Sequence, residues 1–208
     1  MDGLLIDSEA LYLRAMSATA AERGMAFDRA LYVSLVGHNG AECLRRLREH
    51  YGESFPIDDF WDACGERCRE ISRDQGVALK PGALELFETL DALRLPRALC
   101  TSSKRHWVDH HLTRHGLVDR FQALVSGGDC ERHKPHPDPY LEAARRLGIA
   151  PEFCLALEDS HNGVRSAASA GMMTVMVPDM LDATDEMRGL CVRVVDSLHA
   201  VRGLLPGA

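Results

Sequence analysis

No apolar stretch in this 208-residue chain approaches the ~20 residues needed to span a bilayer. The amino terminus also lacks a basic segment followed by a signal-type apolar run. Neither a membrane span nor a secretory leader is expected. Positive charge is short as well: 24 Lys and Arg stand against 31 Asp and Glu, a formal net charge of −7, and no basic run offsets it locally. That balance repels a phosphate backbone, so nucleic acid is not an expected partner. Seven cysteines form an odd set without a CxxC pair, which argues against a disulfide framework and a thiolate zinc site. Cys64 and Cys68, one helical turn apart, read as packing residues. Repeats and low-complexity tracts are missing. What is present, 46% hydrophobic and 26% charged residues, matches an ordinary folded protein, expected to be soluble, cytoplasmic and reduced.

Past Pro81-Gly82, short apolar runs alternate with amphipathic patterns, the mark of a parallel sheet wrapped by helices. Strands are predicted near Arg97–Thr101, Ala123–Ser126, Cys154–Leu157 and Met173–Val177. Helices are predicted around Gly82–Leu93, His106–His115, Pro139–Leu147, Gly163–Ala170 and Leu198–Leu205. Between Ala10 and Gly76 the pattern changes, with Leu11, Ala15 and Ala18, then Leu44, Leu47 and Tyr51, then Phe60, Cys64, Cys68 and Ile71 recurring at helical spacing. The expected fold class is α/β, a doubly wound parallel sheet formed by residues 1–8 and 77–208, with a small four-helix insert at 9–76.

Four segments carry chemistry. Met1-Asp2-Gly3 opens the chain on an acid and a turn residue. Leu99-Cys100-Thr101-Ser102-Ser103 puts hydroxyls at the carboxyl end of an apolar strand. His133-Lys134-Pro135 puts a lysine ahead of a helix, and Leu157-Glu158-Asp159-Ser160 ends another strand in paired carboxylates. Ligand sites of open parallel sheets gather beyond the carboxyl ends of strands, so these groups can converge. Taken singly, the plain readings are favoured: Thr101–Ser103 as the end of a strand, Lys134-Pro135 as a surface turn, and Glu158-Asp159 as solvated loop acids.

In order and spacing, the four segments resemble the four motifs of the haloacid dehalogenase superfamily, in the branch with a helical cap after the first motif. The likeness covers essentially the whole chain. It implies a Rossmann-like core, Mg2+ as cofactor, and hydrolysis of a small, sugar-phosphate-like phosphomonoester through an aspartyl-phosphate. Asp2 matches the acid that protonates the leaving alcohol. Thr101 and Lys134 match the groups that hold the phosphoryl oxygens, with Ser102 adding a backbone contact. Glu158 and Asp159 match the acids that bind magnesium, helped by the backbone carbonyl of Asp2. A proton donor at an alkoxide leaving group is worth typically ~10²–10⁴-fold, and fixed cations and donors at the phosphoryl oxygens are the main catalytic tools.

The resemblance places the attacking aspartate immediately before Met1, after about five apolar residues that form the central strand. Neither is among the 208 residues. The favoured expectation is a true start farther upstream; the competing one is a short product that is inactive or completed by a partner strand. Asp7 lies beyond the glycine turn and is no simple substitute.

The cap of this family closes over the phosphate and reads the leaving group. Val36-Gly37-His38-Asn39-Gly40 resembles its specificity loop, making His38 and Asn39 candidates for substrate contacts, with helix capping as the plain alternative. Beta-phosphoglucomutases carry a histidine where Tyr12 stands and an arginine in that loop, which disfavours the mutase. Asp2 disfavours carbon–halogen cleavage. A non-catalytic phosphate-binding protein is the alternative outside enzymes, and the chain is expected to act as a monomer or weak homo-oligomer. The histidines at 106, 110, 111 and 115 lack the glutamate of a zinc-binding HExxH and read as a solvated helix face.

Overall fold

The computed structural model describes residues 1–36 and 40–205. The chain divides into two compact units, Asp7–Ala78 and a second that joins Met1–Ile6 to the stretch from Leu79 onward.

The helical unit contains α1 (Ser8–Glu22), α2 (Arg29–Val33), α3 (Gly40–Tyr51) and α4 (Ile57–Gln75). Along α4 the buried residues Ile57, Phe60, Cys64, Cys68 and Ser72 fall three or four apart, one stripe of a 3.6-residue helix. That stripe meets α1, which buries Ala15, Met16, Thr19 and Ala20. Alanines on α1 let the two backbones approach closely. Phe60 is fully buried and anchors an aromatic cluster, with Phe55 at 5.5 Å and Tyr51 at 6.4 Å between ring centroids. The short helix α2 is started by Asp28, whose carboxylate accepts a hydrogen bond from the Leu31 N–H at 2.8 Å. All seven thiols are free. Burial pushes Cys64 up to about 11 and Cys68 up to about 12, as expected of thiols that pack rather than react.

The other unit alternates strand and helix: α5 (Ala83–Ala92), β1 (Ala98–Lys104), α6 (Arg105–Arg114), β2 (Ala123–Gly127), α7 (Asp138–Leu147), β3 (Leu155–Glu158), α8 (His161–Ser169), β4 (Met173–Met176), α9 (Asp185–Leu190), β5 (Arg193–Val194) and α10 (Leu198–Arg202). All strand pairings are parallel, with Ala98 beside Ala123, Leu155 beside Met173 and Val175 beside Arg193. The fold class is the expected α/β. Among the described residues the sheet is not one continuous ladder, however: β1 pairs with β2, and β3, β4 and β5 pair among themselves, with no backbone ladder between β1 and β3. Both ladders nevertheless share a core, because Cys100 of β1 packs against Tyr140, Ala156, Ala167 and Ala170. A second cluster joins Val164, Met176 and Met187 beneath α8 and α9.

Two elements, α9 and β5, were not anticipated. At six and two residues they are too short for a hydrophobic period to register. A local signal did exist, since the Thr184 hydroxyl accepts from the Met187 N–H at 3.3 Å and Asp185-Glu186 fill the first turn. Among the described residues, no helix is long and apolar enough to cross a membrane.

Candidate active site

At the carboxyl end of β1 the pairing register slips between Cys100 and Lys104, so that Thr101, Ser102 and Ser103 leave the ladder. Such a bulge turns side chains away from the strand's ordinary alternation. Here it aims two hydroxyls at one carboxylate. Ser103 Oγ donates to Asp2 Oδ2 at 2.6 Å and Thr101 Oγ1 donates to the same oxygen at 3.4 Å. Thr101 in turn accepts from the Ser103 N–H at 3.1 Å. A bare α-carbon at Gly127 makes room for this loop, because a β-carbon there would overlap the Ser102 carbonyl oxygen. Thr101, Ser102, Ser126, Cys130 and Lys134 line a small cavity at this strand end.

Lys134 reaches across the gap between the two ladders. Its ammonium lies 2.5 Å from Glu158 Oε1 at the end of β3 and donates to the Cys100 carbonyl oxygen of β1 at 3.3 Å. The side chains of Lys134 and Glu158 are only 11% and 5% exposed, so the pair sits where water screens little. Burial alone would pull the lysine down, but the adjoining carboxylate outweighs it and holds Lys134 at about 12. Burial works against Glu158 ionisation too, and the Lys134 ammonium overcomes it, holding that carboxyl below its usual range. Tyr140 donates to the same Glu158 oxygen at 2.5 Å and Ser160 Oγ donates to the other at 3.2 Å.

Asp159 differs from its neighbour. Among the described residues no other side chain donates to its carboxylate, and burial, joined by the charge of Glu158, pushes it upward. Gly3, in the left-handed region at φ +69°, is pressed against it: a β-carbon on Gly3 would overlap Asp159 Oδ2. The Asp2-Gly3 turn thus ties the ends of β1 and β3 together, one residue through the hydroxyls and the next through the acids.

The structure therefore brings Asp2, Thr101, Lys134, Glu158 and Asp159 to one end of the parallel strands, and Ser102 to the same loop. His38 and Asn39 lie outside the described residues. Ser103 and Tyr140 were missed. Ser103 belonged to the hydroxyl run already singled out, whereas nothing in the sequence marks Tyr140 as a partner of Glu158. Among the described residues no three His, Cys, Asp or Glu side chains gather closely enough to hold a metal ion by themselves. That holds for α6 as well, where His111 is buried in a stack on Trp107, with ring centroids 5.9 Å apart, rather than solvated as expected.

The family model for haloacid dehalogenase-like hydrolases matches residues 1–177. The chain belongs to this family. The CbbY protein of Rhodobacter capsulatus is 31% identical over 99% of this chain and 95% of its own length. A phosphorylated carbohydrates phosphatase of Thermotoga maritima is 30% identical over 83% of this chain and 79% of its own. Among solved structures, CbbY from Rhodobacter sphaeroides in complex with phosphate superposes with a TM-score of 0.75 at 30% identity, covering 95% of this chain and 92% of that one.

One glycine in this haloacid dehalogenase-like hydrolase offers a clean test of the Glu158 arrangement. Gly163, in the first turn of α8, faces the Glu158 carboxylate so closely that a β-carbon would overlap all three of its terminal atoms. A Gly→Ala change within a helix ordinarily stabilises by up to ~1 kcal/mol. Gly163→Ala should instead destabilise by about 1–3 kcal/mol, the usual cost of overpacking, because Glu158 must leave both Lys134 and Tyr140. Chemical denaturation reads the sign directly, and a gain in stability would refute this placement of Glu158.

Proposed function

We propose that this protein is a phosphatase that hydrolyses a small, sugar-phosphate-like phosphomonoester through an aspartyl-phosphate, with Mg2+ as cofactor. The observation that carries the reading is the reach of Lys134 between the Cys100 carbonyl and Glu158, beside the bulged hydroxyls of Thr101 and Ser103. An ammonium, a hydroxyl and a carboxylic acid at one strand end form the set that phosphoryl transfer needs.

Thr101 Oγ1 and Lys134 Nζ would hold the non-bridging phosphoryl oxygens, with Ser102 contributing from its backbone. Asp2 would give its proton to the departing alkoxide oxygen and then take one from the attacking water. The hydroxyl of Ser103, at 2.6 Å from Asp2 Oδ2, keeps that carboxyl oriented. Attack would come from an aspartate carboxylate directly ahead of Met1, two residues along from Asp2, so that on an extended strand both face the same way.

The residues present suit magnesium. Asp159 has a half-buried carboxylate that no other described side chain satisfies. Mg2+ takes oxygen ligands and retains several waters, so one or two carboxylates with a backbone carbonyl suffice. Glu158, Asp159 and the carbonyl of Asp2 would hold it, together with the aspartate ahead of Met1. When bound, the ion neutralises charge on the phosphoryl group.

The relatives named as phosphatases and the phosphate-bound CbbY structure support the same reading. The test is an assay of the chain carrying that aspartate on an apolar strand, with Mg2+ and a panel of sugar and nucleoside monophosphates. Release of inorganic phosphate is the expected result. Interconversion of phosphate isomers without net release would make the protein a mutase, and tight binding without turnover would make it a binding protein.

A further inference from the structure

Beyond the end of β4 the chain runs Val177-Pro178-Asp179, and Asp179 turns back toward the first motif. Its Oδ1 lies 2.6 Å from the ammonium of Lys80. Its Oδ2 is buried and has no hydrogen-bond partner among the described residues. A β-carbon on Gly3 would lie 3.2 Å from that same Oδ2 while overlapping Asp159 Oδ2. The two carboxylate oxygens therefore flank one bare α-carbon. Lys80 is fixed in place as well, since its N–H donates to the Leu5 carbonyl at 2.9 Å and Leu79 bridges to Ile6.

A buried carboxylate oxygen without a donor is costly, and a second acid beside it makes it more so. Ionic pairing with Lys80 explains one oxygen of Asp179 but not the other. A surface ion pair would leave both oxygens to water; this one is 13% exposed at Asp179 and holds its unsatisfied atom on the Gly3 side, where Asp159 also lies. We propose that Asp179, oriented by Lys80, is an outer acid of the cation site: its Oδ2 accepts a hydrogen bond from water carried by the ion that Glu158 and Asp159 hold. This rests on the magnesium reading above and extends it to two residues outside the family motifs quoted from the sequence. Magnesium suits such an arrangement because it dehydrates reluctantly and is recognised largely through its waters. Asp179 and Lys80 are positioning residues, acting through the bound water and not on the substrate.

The test measures Mg2+ binding by calorimetry and Mn2+ binding by paramagnetic resonance on the chain carrying the aspartate ahead of Met1, without substrate. Asp179→Asn keeps the shape and the Lys80 contact atom but weakens the acceptor. It should lower affinity for both ions about 10–100-fold, the usual cost of losing an outer-shell partner, while inorganic phosphate binding measured without metal stays within about twofold. Lys80→Met should lower metal affinity in the same direction, because Asp179 loses its aim. Thermal unfolding of each variant checks that the fold survives. If Asp179→Asn shifts the unfolding temperature but leaves both ion affinities unchanged, the pair is a structural salt bridge and the inference is wrong. If the chain carrying the aspartate ahead of Met1, otherwise unaltered, binds neither ion, the magnesium reading itself fails and this inference falls with it.

Discussion

An apolar strand ending in aspartate, placed directly ahead of Met1, should give the protein turnover on phosphomonoesters on the order of 10⁴-fold or more above the 208-residue chain. Loss of a nucleophile that works as a unit with its partners has effects of that size. The same addition should raise folding stability substantially. In a parallel sheet the inner strands are buried on both faces and read as aliphatic runs. Three such side chains contribute about 1.5–3 kcal/mol each on burial, against a net domain stability of ~5–15 kcal/mol. Two strand edges flank the place where such a strand would pair. β1 is paired on the β2 side and β3 on the β4 side, while Asp2-Gly3 connects their carboxyl ends. A strand leading into Met1, itself buried, can pair with both. Urea denaturation should show a later midpoint and a steeper slope, since more surface becomes buried on folding. An extended chain ending in asparagine instead of aspartate should keep the stability and lose the turnover. Equal turnover from the two would remove the proposed nucleophile, and an unchanged midpoint would remove the strand.

Lys134→Ala carries the second large effect. The substitution strips Glu158 of its counter-ion while leaving the carboxylate buried, with the neutral donors of Tyr140, Ser160 and the Asp159 N–H still on it. Breaking a buried pair from one side costs about 3–5 kcal/mol, mostly the penalty of a stranded charge. The Cys100 carbonyl loses its donor too. Phosphate affinity should fall in parallel, because the cation facing the phosphoryl oxygens is gone. The double variant Lys134→Ala with Glu158→Gln distinguishes the two losses. It should recover much of the stability, since no unpaired charge remains, but none of the phosphate affinity. Recovery of both would mean that Lys134 serves only to neutralise Glu158.

The sequence made some of this site legible and hid the rest for physical reasons. Thr101, Lys134, Glu158 and Asp159 each stand at the end of a strand or ahead of a helix, and the rule for open parallel sheets makes such places converge. Ser103 was visible as chemistry but not as a contact, because the register slip after Cys100 depends on pairing with β2, a non-local event. Tyr140 and Gly163 matter through what touches them in space; a tyrosine near a helix start and a glycine after Ser160 look alike whether or not a carboxylate lies above them. His111 was misjudged because α6 carries three histidines around Trp107 and a fourth, His115, just past its end, and periodicity does not tell which of them turns inward. The division of the sheet into two ladders was also out of reach, since each strand's own pattern is the same with a neighbour on one side or two.

Gly3 leaves a final consequence. Its left-handed backbone and its missing methyl group are separate requirements, one of torsion and one of volume, and a single residue meets both. The spacing between the acid that would move a proton and the acids that would grip an ion is thus set by an empty place. Even the smallest side chain there would act as a wedge, displacing Asp159 and crowding Asp179.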